Sequence, residues 1–229
     1  MSQQRDAVLL KDVHEVIKEQ VPAAARELSL DVRGGVVHIG GFIAGNSPLR
    51  RLRHVLAHLR GVHAVWDMVQ VEGEPPLQVL DVGCGARKQY GSAIGIDRHL
   101  HPGVDIVADL ERGLPVANGS IDHVFAVHFL EHVQNFLPLL NELHRVLRPY
   151  GVLHIMVPNC KSVNAWADPT HLRYFHPQTF KFLCRPYPGL RLWFPLIVSA
   201  SSTDIFADLQ PVGAACAAAG EEDLARYFD

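Results

Sequence analysis

Only seven residues, 86–92, separate the glycine turn Gly83-Cys84-Gly85 from the next apolar run, 93–97. The runs on either side, 77–82 and 93–97, read as buried strands, and two parallel strands are ordinarily joined by a crossover of a dozen residues or more, usually a helix. Seven residues leave no room for that helix. A dinucleotide fingerprint needs a third glycine and a helix whose N-terminus takes the pyrophosphate charge, so a nicotinamide-dependent oxidoreductase is disfavoured from the start.

Strand and helix patterns nonetheless go on alternating. Residues 104–108 and 121–127 read as strands, and 136–147 as a helix with its stripe at Phe136, Leu139, Leu140, Leu143 and Leu147, stopped by Arg148-Pro149-Tyr150-Gly151. Residues 151–157 are a fifth strand and 190–199, with Trp193 and Phe194, a sixth. The expected fold of residues 77–229 is therefore α/β, a Rossmann-like, mostly parallel sheet. Beyond Ala200 the pattern fits a closing hairpin poorly. An incomplete hairpin leaves an open edge for a second subunit, which is the ground for expecting a homodimer.

Residues 1–74 follow a different plan, a small α+β domain of αββαβ order. A helical stripe runs through Val8, Leu9, Val13, Val16 and Ile17. Two short strands, 28–32 and 36–43, meet at Gly34-Gly35 as a hairpin. A helix over 49–59 follows Asn46-Ser47-Pro48, a strand occupies 64–71, and Glu72-Gly73-Glu74-Pro75-Pro76 is the linker. The Gly34–Gly41 and Gly61–Val65 stretches resemble the BON domain over residues 9–72. That resemblance implies docking to a protein or to anionic lipid, for which Arg50, Arg51, Arg53 and Arg60 offer a basic helix; a solvated helix face is the competing reading.

A formal net charge of −3 supplies no field for a polyanion, so nucleic acid is not an expected partner and small molecules are. No apolar stretch approaches the roughly 20 residues of a membrane-spanning helix, and residues 1–6 show no export pattern, so a cytoplasmic protein is expected. Cys84, Cys160, Cys184 and Cys216 form no C-x-x-C pair and read as free thiols. The 14 histidines include no H-E-x-x-H arrangement, and no metal site is expected.

Asp81, Gly83 and Gly85 lie where a strand ends and a ligand can rest on bare backbone. Asp97 ends the second strand, where a carboxylate can accept both ribose hydroxyls of an adenosine, and Asp109 ends the third. The fourth closes in His128-Phe129-Leu130-Glu131-His132. In this order the motifs resemble class I S-adenosylmethionine (SAM)-dependent methyltransferases over residues 77–185. The nearest resemblance is to a bacterial group with a Gly-Cys-Gly-x-x-Lys loop, a short first crossover and an Asp-Pro-Thr-His-x-Arg-x-Phe segment, here residues 83–88 and 168–175.

The resemblance implies SAM as cofactor, with Asp81, Gly83 and Gly85 at its methionine end, Asp97 at the ribose, Asp109 and Leu110 at the adenine edge, and His128 facing the methionine portion. It also implies methyl transfer to an oxygen or nitrogen of a small-molecule or glycan-type acceptor. Histidines suit removal of the acceptor's proton. His171 is the first candidate, followed by His128, His132 and His176, with Asp168 as an orienting carboxylate. Other readings stay open: Asp168 as a turn cap, Glu131 and His132 as a helix opening, Arg173 as an anion ligand or a partner of Asp168. The rival function is a non-catalytic SAM-binding or docking protein on a degenerate methyltransferase fold.

Overall fold

The computed structural model describes residues 2–22, 28–214 and 216–228. It divides into two compact units, Met1–Leu77 and Gln78–Asp229.

The first unit runs α1 (Ser2–Gln20), β1 (Leu28–Arg33), β2 (Val36–Ile43), α2 (Asn46–Ala57), β3 (Ala64–Val71), with its strands in the order β1-β2-β3. β1 and β2 are antiparallel, and α2 is the crossover that makes β2 and β3 parallel. Gly34 and Gly35, at φ 58° and 78°, form the two-residue turn that only left-handed backbone closes without splaying the strands. Asp6 of α1 accepts both their amides, at 2.9 and 3.1 Å. On α2, Leu49, Leu52 and Leu56 are the buried stripe. Arg53 makes a two-pronged pair with the buried Asp67 of β3, at 2.7 and 2.9 Å. Arg53 is thereby committed inside the unit, which removes it from the basic face expected for anionic lipid.

The second unit holds β4 (Val79–Val82), β5 (Ile94–Asp97), β6 (Ile106–Val107), β7 (Ile121–Val127), α3 (Phe136–Val146), β8 (Leu147–Pro158), α4 (Val163–Ala167), α5 (Pro177–Leu183), β9 (Trp193–Ala200), β10 (Asp204–Pro211) and α6 (Glu221–Phe228). The seven strands lie in the order β6-β5-β4-β7-β8-β10-β9; the first five are parallel, and β10 is antiparallel to both its neighbours. This is the α/β, mostly parallel sheet expected. Residues 83–93 contain no helix, as their number requires. The chain leaves β4 toward β6 and returns to β7 on the other side of β4, so the strand order reverses there, the position at which open α/β sheets bind ligands beyond their carboxyl ends. One sheet face, with Leu80, Val124, Leu153 and Ala207, joins α3, α5 and α6 in a single core.

Two expectations need correction. The stretch 148–151 does not stop a helix. α3 ends at Val146 and β8 begins at Leu147; a register shift after Ile121 and a φ of 66° at Tyr150 absorb the irregularity. The closing hairpin is also complete, because β10 fills the place between β8 and β9. Asp208 and Gln210 disguise β10 as a solvated segment, yet Asp208 is 1% exposed and lies 2.8 Å from His154 Nδ1, whose Nε2 is 3.0 Å from His123 Nδ1. A strand can bury polar residues when its neighbour satisfies them. With the hairpin closed within one chain, the ground for a homodimer falls away. No helix among the described residues is long and apolar enough to cross a membrane.

Candidate active site

The chain turns back immediately after β4. Gly83, at φ 66°, donates its amide to Ile96 O at 2.8 Å, and Gly85, at φ 54°, donates to Asp97 Oδ2 at 3.0 Å. The two glycines do different things. A Cβ at Gly83 would lie 2.2 Å from the Phe129 ring, whereas one at Gly85 would meet nothing within 4 Å. Phe129 has taken the space against Gly83, and the bare backbone open to a ligand is at Gly85. Asp97 accepts a second amide, from His99, through Oδ1 at 2.9 Å.

Asp81 is 2% exposed, and its Oδ2 accepts the Gln89 amide at 2.6 Å. Burial pushes its pKa up to about 6, against the opposing pull of the Gln89 amide and Lys88. Lys88 reaches Asp105 at 2.8 Å, and the same Asp105 oxygen accepts the Gly95 amide at 2.7 Å. Both contacts hold Asp105 below the usual carboxylate range. A Cβ at Gly95 would sit 2.2 Å from Gly103 O, so glycine is what lets the following loop close over the sheet end, and Lys88 fastens it there. Cys84 is buried and pushed up to about 11, chiefly by burial and then by Asp81 and Asp97, which keeps it an inert thiol. Asp109 accepts the Glu111 amide at 3.2 Å and caps the short turn Leu110–Arg112. The Leu110 side chain belongs to the core.

His128 follows β7 with a φ of 50°, uncommon outside glycine and typical of constrained functional positions. Its side chain is 46% exposed; Nδ1 lies 3.5 Å from Glu131 and Nε2 3.7 Å from Asp204. Glu131 raises its pKa, outweighing partial burial. The segment 168–175 lies along the turn after His128. Leu172 and Arg173 both donate backbone amides to Glu131 O, at 2.8 and 3.2 Å. Arg173 donates its guanidinium to Val133 O and Gln134 O and covers the Phe136 ring, so it neither faces an anion nor pairs with Asp168. Asp168 Oδ1 accepts the amide and hydroxyl of Thr170, at 2.8 and 2.6 Å, which lowers its pKa and makes it the cap of this turn. Its Oδ2 is 3.8 Å from His171 Nε2. His171 Nδ1 lies 2.8 Å from Ala165 O, with the side chain 7% exposed. His176 is occupied differently, its Nδ1 accepting the Gln178 amide as the cap of α5.

Residues 80–155 match the family model of a methyltransferase domain. A curated relative, a probable S-adenosylmethionine-dependent methyltransferase of Mycolicibacterium smegmatis, is 32% identical over 116 residues, covering 43% of this chain and 44% of the relative. The chain thus spans less than half the length of that relative. Among solved structures, a SAM-dependent methyltransferase of Archaeoglobus fulgidus is 26% identical, with a TM-score of 0.40, covering 46% of this chain and 57% of that one. Another, from Aquifex aeolicus, is 17% identical with a TM-score of 0.46, covering 59% and 82%.

The matched methyltransferase segment contains Asp81, Gly83, Gly85, Asp97, Asp109, Leu110 and His128, and ends before Asp168 and His171. Asp81, Gly85 and Asp97 come together at the ends of β4 and β5. His128, His132, Asp168 and His171 come together beyond β7 and β8. Glu131 is the residue whose role sequence reasoning missed. The helix opening available to it in the sequence is instead a single 3-10 turn, Leu130–His132, that sends the carboxylate inward, to 1% exposure. A carboxylate between two histidines at a strand end was the available signal.

Proposed function

We propose that residues 78–229 bind SAM and transfer its methyl group to an oxygen or nitrogen atom of a small-molecule or glycan-type acceptor. The observation that carries this reading is the Gly85–Asp97 pair: a left-handed glycine with open space where a side chain would stand, bonded to a strand-end carboxylate whose oxygens each accept one amide and keep a lone pair. Those groups fit an adenosyl ligand. Asp97 would hold the ribose, Asp81 and Gly85 the methionine end, with Gly83 supporting the turn, and Asp109 with the Leu110 backbone the adenine edge. Bound SAM supplies a methyl group already activated on a sulfonium.

The protein's work is then to align the acceptor, which can contribute several kcal/mol through proximity and orientation, and to take a proton where the acceptor carries one. His128, the more exposed imidazole, is the candidate to take it, and His171, on the turn that Asp168 caps, is the second. Trp166 and Tyr174, stacked 3.8 Å apart and 58% and 44% exposed, offer in the same segment a flat surface suited to a ring-shaped acceptor. The Met1–Leu77 unit, BON-like in element order, is read as a docking module for a protein or an anionic lipid surface.

Calorimetric titration with SAM, its demethylated product and NAD tests the cofactor. Micromolar binding of the SAM pair, lost in Asp97→Ala, supports the reading. Preference for NAD, or no SAM binding, overturns it, and SAM binding without turnover across a broad acceptor panel marks a docking protein instead.

A further inference from the structure

Glu131 is a buried carboxylate of the second unit, and His128 is its ion-pair partner. The Glu131 side chain is 1% exposed, and neither carboxylate oxygen has a hydrogen-bond partner. His128 Nδ1, at 3.5 Å, is beyond normal hydrogen-bond length. A buried carboxylate in this condition needs a cation or a proton.

Two imidazoles face it. One ligand atom from each of Glu131, His132 and His171 lies within 4.8 Å of the other two, and the rings of His132 and His171 are 4.9 Å apart between centroids. Both imidazoles are oriented by carbonyls. His171 Nδ1 is 2.8 Å from Ala165 O, and His132 Nδ1 is 3.3 Å from Thr170 O and 3.1 Å from the Thr170 hydroxyl. A carbonyl only accepts, so Nδ1 carries the proton in each ring and Nε2 keeps its lone pair. Metal-ligating imidazoles are ordinarily held in this way, the other ring N–H donated to a carbonyl. On the Nε2 side of His171 stands a further carboxylate, Asp168 Oδ2, at 3.8 Å.

We propose that Glu131, His132 and His171 form a binding site for a divalent first-row transition-metal ion. Two imidazoles and one carboxylate suit Zn²⁺, Fe²⁺ or their neighbours and leave coordination positions open. Bonds of about 2.0–2.2 Å would draw the three ligand atoms to roughly 3.3–3.6 Å apart, a closure of at most about 1.5 Å. The H-E-x-x-H spacing that would mark such a site along one helix is absent because the fold assembles it from the turn after β7 and the segment after α4. The site stands on its own geometry. Its use, lowering the pKa of an acceptor hydroxyl at an open position, rests on the methyl-transfer reading; in the loaded protein His171 is a ligand and proton removal falls to His128.

The test is titration of the chelator-stripped, untagged full chain with Zn²⁺ by calorimetry and with Co²⁺ by visible absorption. It is made in a His58→Gln background, because His54 of α2 and His58 at its C-terminal cap, with ring centroids 4.4 Å apart, form a competing pair. One equivalent of Co²⁺ with visible ligand-field bands is expected, weakened at least about 100-fold by Glu131→Gln and by His171→Gln. Should Glu131→Gln fail to fold, His132→Gln must show the same loss. No binding in the His58→Gln background, or binding unchanged by these substitutions, overturns the site. SAM titrated in parallel separates the two ideas: metal binding without SAM binding keeps the site and sinks methyl transfer, and SAM binding without metal does the reverse.

Discussion

Asp97 and Gly85 are joined by a carboxylate-to-amide hydrogen bond of 3.0 Å, so the residue proposed for the ribose also holds the loop proposed to carry the cofactor. Asp97→Ala removes both functions. Losing a hydrogen bond to a charged group costs about 1.5–3 kcal/mol in SAM affinity, and loosening of the Gly85 turn adds to that. Asp97→Asn keeps one accepting oxygen and should fall between wild type and alanine. Calorimetry on the three proteins checks the order; equal affinities for Asn and Ala would separate the loop from the site.

Gly83 and Gly85 should respond differently to the same substitution. Both occupy left-handed backbone, which costs an alanine about 1–2 kcal/mol. At Gly83 the added methyl also strikes Phe129, including its Cβ at 2.8 Å, so the total should reach about 2–5 kcal/mol of stability. Gly85→Ala meets open space, should lose only the backbone cost, and should weaken SAM binding at least about tenfold by filling the space left for it. Thermal unfolding and calorimetry read the two effects separately; a fall in affinity confined to Gly83→Ala would reverse the roles.

How much of this was legible depended on whether a residue's partner was close in sequence. The parallel strands, α3 and the missing first crossover follow from local apolar patterns and from the length of residues 86–92. β10 did not, because a strand containing Asp208 and Gln210 is recognisable only once His154 of a distant strand is known to receive the aspartate. Arg173 was undecidable for the same reason: its acceptors are carbonyls at 133 and 134, which no sequence pattern exposes. Glu131 was misread because a 3-10 turn stands where a helix was expected, and the turn's direction, not its composition, buries the side chain.

Asp81 makes both stability and SAM affinity depend on pH. Burial raises its pKa from 3.8 to about 6, so between these values the folded chain holds a proton that the unfolded chain has released. The resulting stability is full below about pH 4 and lost as pH rises through 6, by at most ~3 kcal/mol. Asp81→Asn should remove that slope in thermal midpoints measured from pH 4.5 to 7.5. SAM presents an ammonium at its methionine end, which favours the charged carboxylate. Wild-type affinity should therefore fall as pH drops below about 6, while Asp81→Asn stays flat; parallel profiles would place the methionine end elsewhere.

His154 and Asp208 stand directly opposite each other on β8 and β10, at 0% and 1% exposure. Phe125 stacks on the His154 ring at 4.6 Å, so the imidazole cannot turn away to find another acceptor without breaking that packing. Asp208→Ala leaves His154 Nδ1 without its carboxylate in the sheet interior and should cost about 2–3 kcal/mol. Asp208→Asn retains an oxygen that can accept the same N–H and should cost about 1–2 kcal/mol. Urea unfolding should show lowered midpoints with unchanged slopes, because the surface exposed on unfolding is the same. Equal losses for Ala and Asn would mean that the carboxylate's charge, rather than its acceptor oxygen, is what the buried histidine requires.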